Sequence, residues 1–96
     1  MRRSSKVRSL NFLWHWLNEK KRYPKISKRN GQEGTTEILF HISPSGRVIS
    51  ANTFKTCEYD PLNRASEEIG LKIVGTELGV PNKGISVVIP VRYQLN

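Results

Sequence analysis

Ile85, Val87, Ile89, Val91, Tyr93 and Leu95 stand at every second position of one unbroken run, and Ser86, Val88, Pro90, Arg92 and Gln94 fill the places between. A period of two held over this length is the signature of a strand with one face in a core and the other outside it. Pro90 narrows the choice further. It has no N–H to give to a ladder, so the strand, Ile85 to Leu95, is expected at a sheet edge with that position turned outward. The fold must therefore supply an apolar layer for one face of this strand and leave its outer side open.

The same period governs Thr36, Ile38, Phe40 and Ile42, which alternate with Glu37, Leu39, His41 and Ser43. Pro44-Ser45-Gly46 then supplies a turn, with proline suited to its second position and glycine able to take positive φ. Arg47 to Thr56 returns as a second strand. Its apolar positions change parity between Val48 and the pair Ala51 and Thr53, which predicts a bulge near Ile49 and Ser50.

Two stretches have helical spacing instead. Leu10, Leu13, Trp14 and Leu17 repeat at i, i+3, i+4 and i+7, widened by Phe12 and Trp16, with Ser9 placed as an N-cap. This helix must stop before Pro24, which can open a short second turn running to Asn30 and Gly31. Asp60-Pro61 reads as a cap followed by proline at the first helical position, and Leu62, Ala65, Ile69 and Ile73 follow on one face of a helix from Pro61 to Val74. Gly70 inside it costs about 1 kcal/mol against alanine. Gly75 to Gly84 reads as loop. The order is helix, hairpin, helix, strand. It predicts an α+β fold, a three-stranded antiparallel sheet with two helices packed on one face.

A chain of 96 residues has room for one such domain. Its 16 Lys and Arg against 8 Asp and Glu give a net charge of +8, which suits nucleic acid, an anionic surface or an acidic protein. Most of this excess lies before Asn30, and we divide the chain into a basic N-terminal tail, 1–8, and a domain, 9–96. Cys57 is the single cysteine, so no internal disulfide and no cysteine-based zinc site can form. The apolar run Leu10 to Leu17 is interrupted by Asn11 and His15 and has no small-residue cleavage site, so no signal peptide is expected, nor is any run long enough to span a membrane.

Two functions from other classes compete on the same residues. The basic N-terminal third with Trp14, Trp16 and Tyr23 offers phosphate contacts and stacking rings for a small basic nucleic-acid-binding domain, but Trp14 lies on the stripe expected to face the core. His41, Cys57, Glu58 and Asp60 hold the residue types of a thiol, base and orienter, without any sign of an oxyanion or substrate pocket. His15 has no second ligand at i+3 or i+4 and reads as a helix-face residue. Neither nucleic acid nor catalysis is the expected function.

Five short segments occur in a telling order: Tyr23-Pro24, Gly31-Gln-Glu-Gly34, Ser45-Gly-Arg-Val48, Leu62-Asn-Arg-Ala65 and Val87-Val-Ile-Pro-Val-Arg-Tyr93. Together they resemble the TonB C-terminal domain family, over about Phe12 to Leu95. A TolA-like domain shares the topology, but the Tyr-Pro and Ile-Pro-Val segments favour the TonB family. Arg22 stands where members often carry Gln, and Gly75 to Pro81 replaces a Trp-x-Pro-Gly segment, which suggests a core refilled by Leu71, Ile73 and Val74.

The resemblance implies a periplasmic energy-transducer domain. Such a domain binds the TonB box of TonB-dependent outer-membrane transporters by strand addition, and reaches an inner-membrane energising complex through segments outside this chain. It implies no enzyme activity and no cofactor, because the work is mechanical coupling. The partner-binding residues it points to are Ser86, Val88, Pro90, Arg92 and Gln94 on the last strand and Arg22, Tyr23, Pro24 and Lys25 at the Tyr-Pro corner. A homodimer through the same edge is a further expectation.

Overall fold

A computed structural model describes residues 2–78 and 84–95, with side chains from Asn11 onward. The elements are α1 (Arg2–Lys20), α2 (Lys25–Arg29), β1 (Gly34–Ile42), β2 (Val48–Lys55), α3 (Asp60–Lys72) and β3 (Ile85–Tyr93). The three strands form one antiparallel sheet in the order β2-β1-β3. One face of that sheet is covered by helices, and the expected architecture is present.

The alternation in β1 and β3 decides which face is covered. Thr36, Ile38, Phe40 and Ile42 of β1 are buried, as are Ile89, Val91 and Tyr93 of β3. Against them pack Leu62 and Ile69 of α3 and Ile73 at its C-cap, with Leu13 and Leu17 of α1. Each such side chain, taken from water into the core, contributes about 1.5–3 kcal/mol. β1 pairs with β3 without a break from Gly34↔Tyr93 to Ile42↔Ile85. Leu95, expected inside the strand, lies beyond it, its N–H donating to Glu33 Oε2 at 2.8 Å rather than to a ladder.

The hairpin closes as the turn residues predict. Gly46 N–H donates to Ser43 C=O at 2.9 Å, and Gly46 takes φ +92, where a side chain would be strained. His41 pairs with Ser50 and Ile42 with Val48, which leaves Ile49 as the extra residue of the expected bulge. A second irregularity, between Glu37 and Ile38, has no counterpart in the apolar pattern. Beyond α3, residues 75–78 are tied to the hairpin: Gly75 N–H donates to Val48 C=O at 2.7 Å, Val48 N–H to Thr76 C=O at 2.9 Å, and Arg47 bridges to Glu77. The remainder of the expected loop, 79–83, lies outside the described residues.

Four helical expectations need correction. α1 begins at Arg2, so Ser9 is inside it and not its cap; no Gly or Pro interrupts residues 2–8, and their Arg and Lys are good helix formers. Its buried stripe is narrow. Leu13 and Leu17 are fully buried, whereas Trp14 is 41% exposed and Phe12 47%, because α1 meets β3 and only the margin of α3. Leu10's side chain lies outside the described residues. In α3 the cap is Tyr59, whose C=O accepts from Leu62 and Asn63, so Asp60 is already helical and its carboxylate favours the positive end of the helix. Finally, only Ile73 of the three proposed filling residues is buried. Leu71 and Val74 face outward, and half-buried Leu78 joins the core.

Gly70 faces the sheet with little room to spare. A Cβ there would stand 3.3 Å from Ile38 Cγ2 and 3.7 Å from Ala51 Cβ. Nearby, Thr36 Oγ1 and Ser66 Oγ share a hydrogen bond of 2.6 Å, and Ser66 Oγ lies 3.0 Å from Tyr93 Oη, so one buried chain of hydroxyls joins β1, α3 and β3. Burial foremost, with Cys57 adding to it and the Ser66 contact opposing, pushes the Tyr93 phenol above its usual value near 10.

Gly70→Ala is expected to leave urea stability nearly unchanged, since about 1 kcal/mol of helix propensity offsets the tight contact. Gly70→Leu should destabilise by about 1–3 kcal/mol. A phenol with a raised folded-state pKa contributes stability that is complete below the unfolded value and lost as pH rises through the folded one. Urea titrations should therefore show the wild type losing stability above about pH 10, with a smaller loss in Tyr93→Phe.

Candidate functional site: the β3 edge

In an antiparallel strand the N–H and C=O of one residue point the same way, toward one neighbour, and the next residue's point to the other side. Asn18 Nδ2 donates to Pro90 C=O at 3.1 Å, and Arg92 N–H donates to Asn18 Oδ1 at 3.1 Å. Both groups therefore face away from β1, and by alternation so do those of Ser86 and Val88. The missing N–H of Pro90 falls on the outside, as expected, and the ladder to β1 is carried by Ile85, Val87, Ile89, Val91 and Tyr93.

The sequence reading did not include Asn18 or Lys21, yet they occupy part of this edge. Besides its two bonds to β3, the Asn18 amide donates to Trp14 C=O at 2.9 Å and accepts from Lys21 Nζ at 3.1 Å, so its donors and acceptor sites are all engaged. Its orientation is fixed by chemistry, since Pro90 C=O needs a donor and Arg92 N–H an acceptor. Lys21 Nζ also donates to Arg92 C=O and stands 5.5 Å from the centre of the Tyr93 ring. Burial first, and the charge of Arg92 second, lower the Lys21 pKa. The one hint in the sequence is that Lys21 continues the i, i+4 series of Leu13 and Leu17.

The other half of the edge is open. Among the described residues, nothing bonds to the outward N–H and C=O of Ser86 or Val88. The side chains of Ser86, Val88, Pro90 and Arg92 lie on the uncovered face of the sheet, beside half-buried Leu39. At the Ser86 end, His41, Ile49, Pro44 and Ile85 line an open cleft of about 420 Å³.

The Tyr-Pro corner adjoins the opposite end. Tyr23 packs edge-on against Tyr93, with ring centres 5.5 Å apart, and its hydroxyl donates to Gln32 C=O. Desolvation first and Glu33 second raise its pKa. Ser27, fully buried, donates to Gln32 Oε1 at 2.8 Å and steadies the segment that leads into β1. Pro24 sets the entry to α2. Arg22 and Lys25 are exposed with no acidic partner, the ion pair seen among the described residues being Arg47–Glu77 at 3.1 Å. The structure thus gathers Ser86, Val88, Pro90 and Arg92 on one edge and sets Arg22 to Lys25 near its end. Gln94 lies past the strand, not on its ladder.

The two other functional readings fare differently. His41 Nδ1 is 2.6 Å from Ser86 Oγ, while the Cys57 thiol packs beside Gly34 at the far end of β1. Seven residues of strand, about 23 Å, separate these ends, so no thiol–imidazole pair forms. Trp14 is exposed, and the core position that counted against nucleic-acid binding does not hold for it.

The family model for the Gram-negative bacterial TonB protein C-terminal region matches residues 19–95. Protein TonB of Helicobacter pylori strain J99 is 30% identical over 79 residues, which cover 82% of this chain and 28% of that protein. The strain 26695 protein is likewise 30% identical over 79 residues, 27% of its length. The chain therefore spans under a third of these relatives. The solution structure of the Helicobacter pylori TonB C-terminal domain, residues 179–285, superposes with a TM-score of 0.73 at 26% identity, covering 94% of this chain and 80% of that one. A shorter form, residues 194–285, gives 0.67 at 26% identity, covering 88% and 91%. With the three-stranded sheet, the Pro-marked edge and the Tyr-Pro corner in place, this chain belongs to the TonB C-terminal domain family.

Proposed function

We propose that this domain is the receptor-engaging part of a periplasmic TonB-like energy transducer and that it binds the TonB box of TonB-dependent outer-membrane transporters by strand addition to β3. The observation that carries the reading is the pair Ser86 and Val88, whose outward N–H and C=O groups have no partner among the described residues, on a strand laddered to β1 on its other side. An extended peptide satisfies these groups with its own main chain, and pockets for alternate side chains supply specificity. Val88 and the cleft beside Ser86 offer apolar contact to those side chains. Arg22 and Lys25 serve an acidic surface of the transporter and act mainly on the association rate.

The domain works by binding and load transfer rather than by chemistry, and requires no cofactor. Other segments of the parent protein connect it to the inner-membrane energising complex. The same edge also suits pairing with a second copy, in competition with the transporter. Exposed Trp14 on the basic helix α1 favours a second reading, nucleic-acid binding, which strong salt dependence would distinguish.

The test is an NMR titration of the labelled domain with synthetic TonB-box peptides at low and high salt, repeated with Val88→Pro. That variant removes one outward N–H and spares the β1 ladder, as Pro90 already does two residues on. Shifts at Ser86, Val88 and the Tyr23 corner that persist in salt are expected, with affinity at least about tenfold weaker in Val88→Pro. Unchanged affinity in that variant, or perturbation by oligonucleotide alone, would sink strand addition.

A further inference from the structure

We propose that Asn18, backed by Lys21, is an end-stop for a strand added to β3: it fixes where the added strand ends, and hence the register in which its side chains are read. The inference rests on strand addition as the binding mode. Along the edge the outward residues follow as Ser86, Val88, Pro90 and Arg92, one about every 7 Å. A strand laid along the whole edge would bond to each in turn. At Pro90 C=O and Arg92 N–H, however, the Asn18 amide already makes the two bonds that one residue of a parallel neighbour would make, and Lys21 takes Arg92 C=O.

The stop is built to hold. The Asn18 amide has no donor or acceptor left over, because Trp14 C=O and Lys21 Nζ use the remainder. The helix that carries it is anchored by Leu13 and Leu17, both fully buried, so α1 cannot leave without opening the core. Freeing Pro90 C=O and Arg92 N–H therefore requires the loss of both Asn18 bonds together. The accessible edge is therefore Ser86 and Val88, a length that a peptide of about five residues fills.

The experiment uses the labelled domain, wild type, Asn18→Ala and Asn18→Asp, with synthetic TonB-box peptides of about five and about nine residues. In the free wild type, the Arg92 amide should exchange more slowly with solvent than those of Ser86 and Val88. Either peptide should protect Ser86 and Val88 and leave the Arg92 amide and the Asn18 side-chain resonances unmoved, with affinities within about twofold of each other. In Asn18→Ala, Arg92 should exchange as fast as Val88, and the longer peptide should bind about threefold tighter than the shorter. Asn18→Asp keeps the acceptor, so Arg92 should remain protected. Peptide contacts to Arg92 in the wild type, a long peptide that binds far tighter there, or fast Arg92 exchange in the free domain would each overturn the end-stop. Absence of protection at Ser86 and Val88 with both peptides would remove strand addition itself, and the end-stop with it.

Discussion

Because β1 pairs with β3 along its whole length and with β2 on its other side, its buried residues set the position of everything else. Thr36, Ile38, Phe40 and Ile42 form the floor on which α3 lies, and the ladder to β3 holds Ile89, Val91 and Tyr93 level with them. A sheet of three strands cannot hide its margins, however. One strand is interior and two are edges, so the domain must either seal its outer backbone groups or leave them for a partner.

The sealing is done with side-chain amides. Asn18 brackets β3 at Pro90 and Arg92. Just beyond β2, Asn63 does the equivalent for Cys57, accepting from its N–H at 2.8 Å and donating to its C=O at 3.0 Å. A carboxamide carries the donor and acceptor of a peptide group without the chain on either side, so it can close one rung of a ladder and go no further. The opening at Ser86 and Val88 is then the part of the β3 edge that such brackets do not reach.

How much of this could be read in the sequence depended on the range of the interaction. The alternation in β1 and β3, the edge position demanded by Pro90, the bulge at Ile49 and the Leu62-Ile69-Ile73 face of α3 are carried by neighbours within a few residues, and a period reveals them. Trp14 lies outside the core despite its spacing, because helical spacing marks an apolar face and not how wide a surface will meet it. Asn18 left almost no mark, since its partner Pro90 is 72 residues away and an asparagine near a helix end has many ordinary uses. Ser66 reads as a polar break in an apolar face until Thr36 and Tyr93 are seen around it.

That hydroxyl chain bears on uniqueness more than on strength. Apolar contact is nearly indifferent to direction, so α3 rolled or slid by a fraction of a turn would bury much the same area. Oxygens at 2.6 and 3.0 Å tolerate no such drift, because a small displacement would strand buried hydroxyls without partners. Thr36, Ser66 and Tyr93 thus act as a key that admits one seating of the helix. Since Tyr93 is itself a residue of β3, the same key sets the angle at which that strand presents its outer edge.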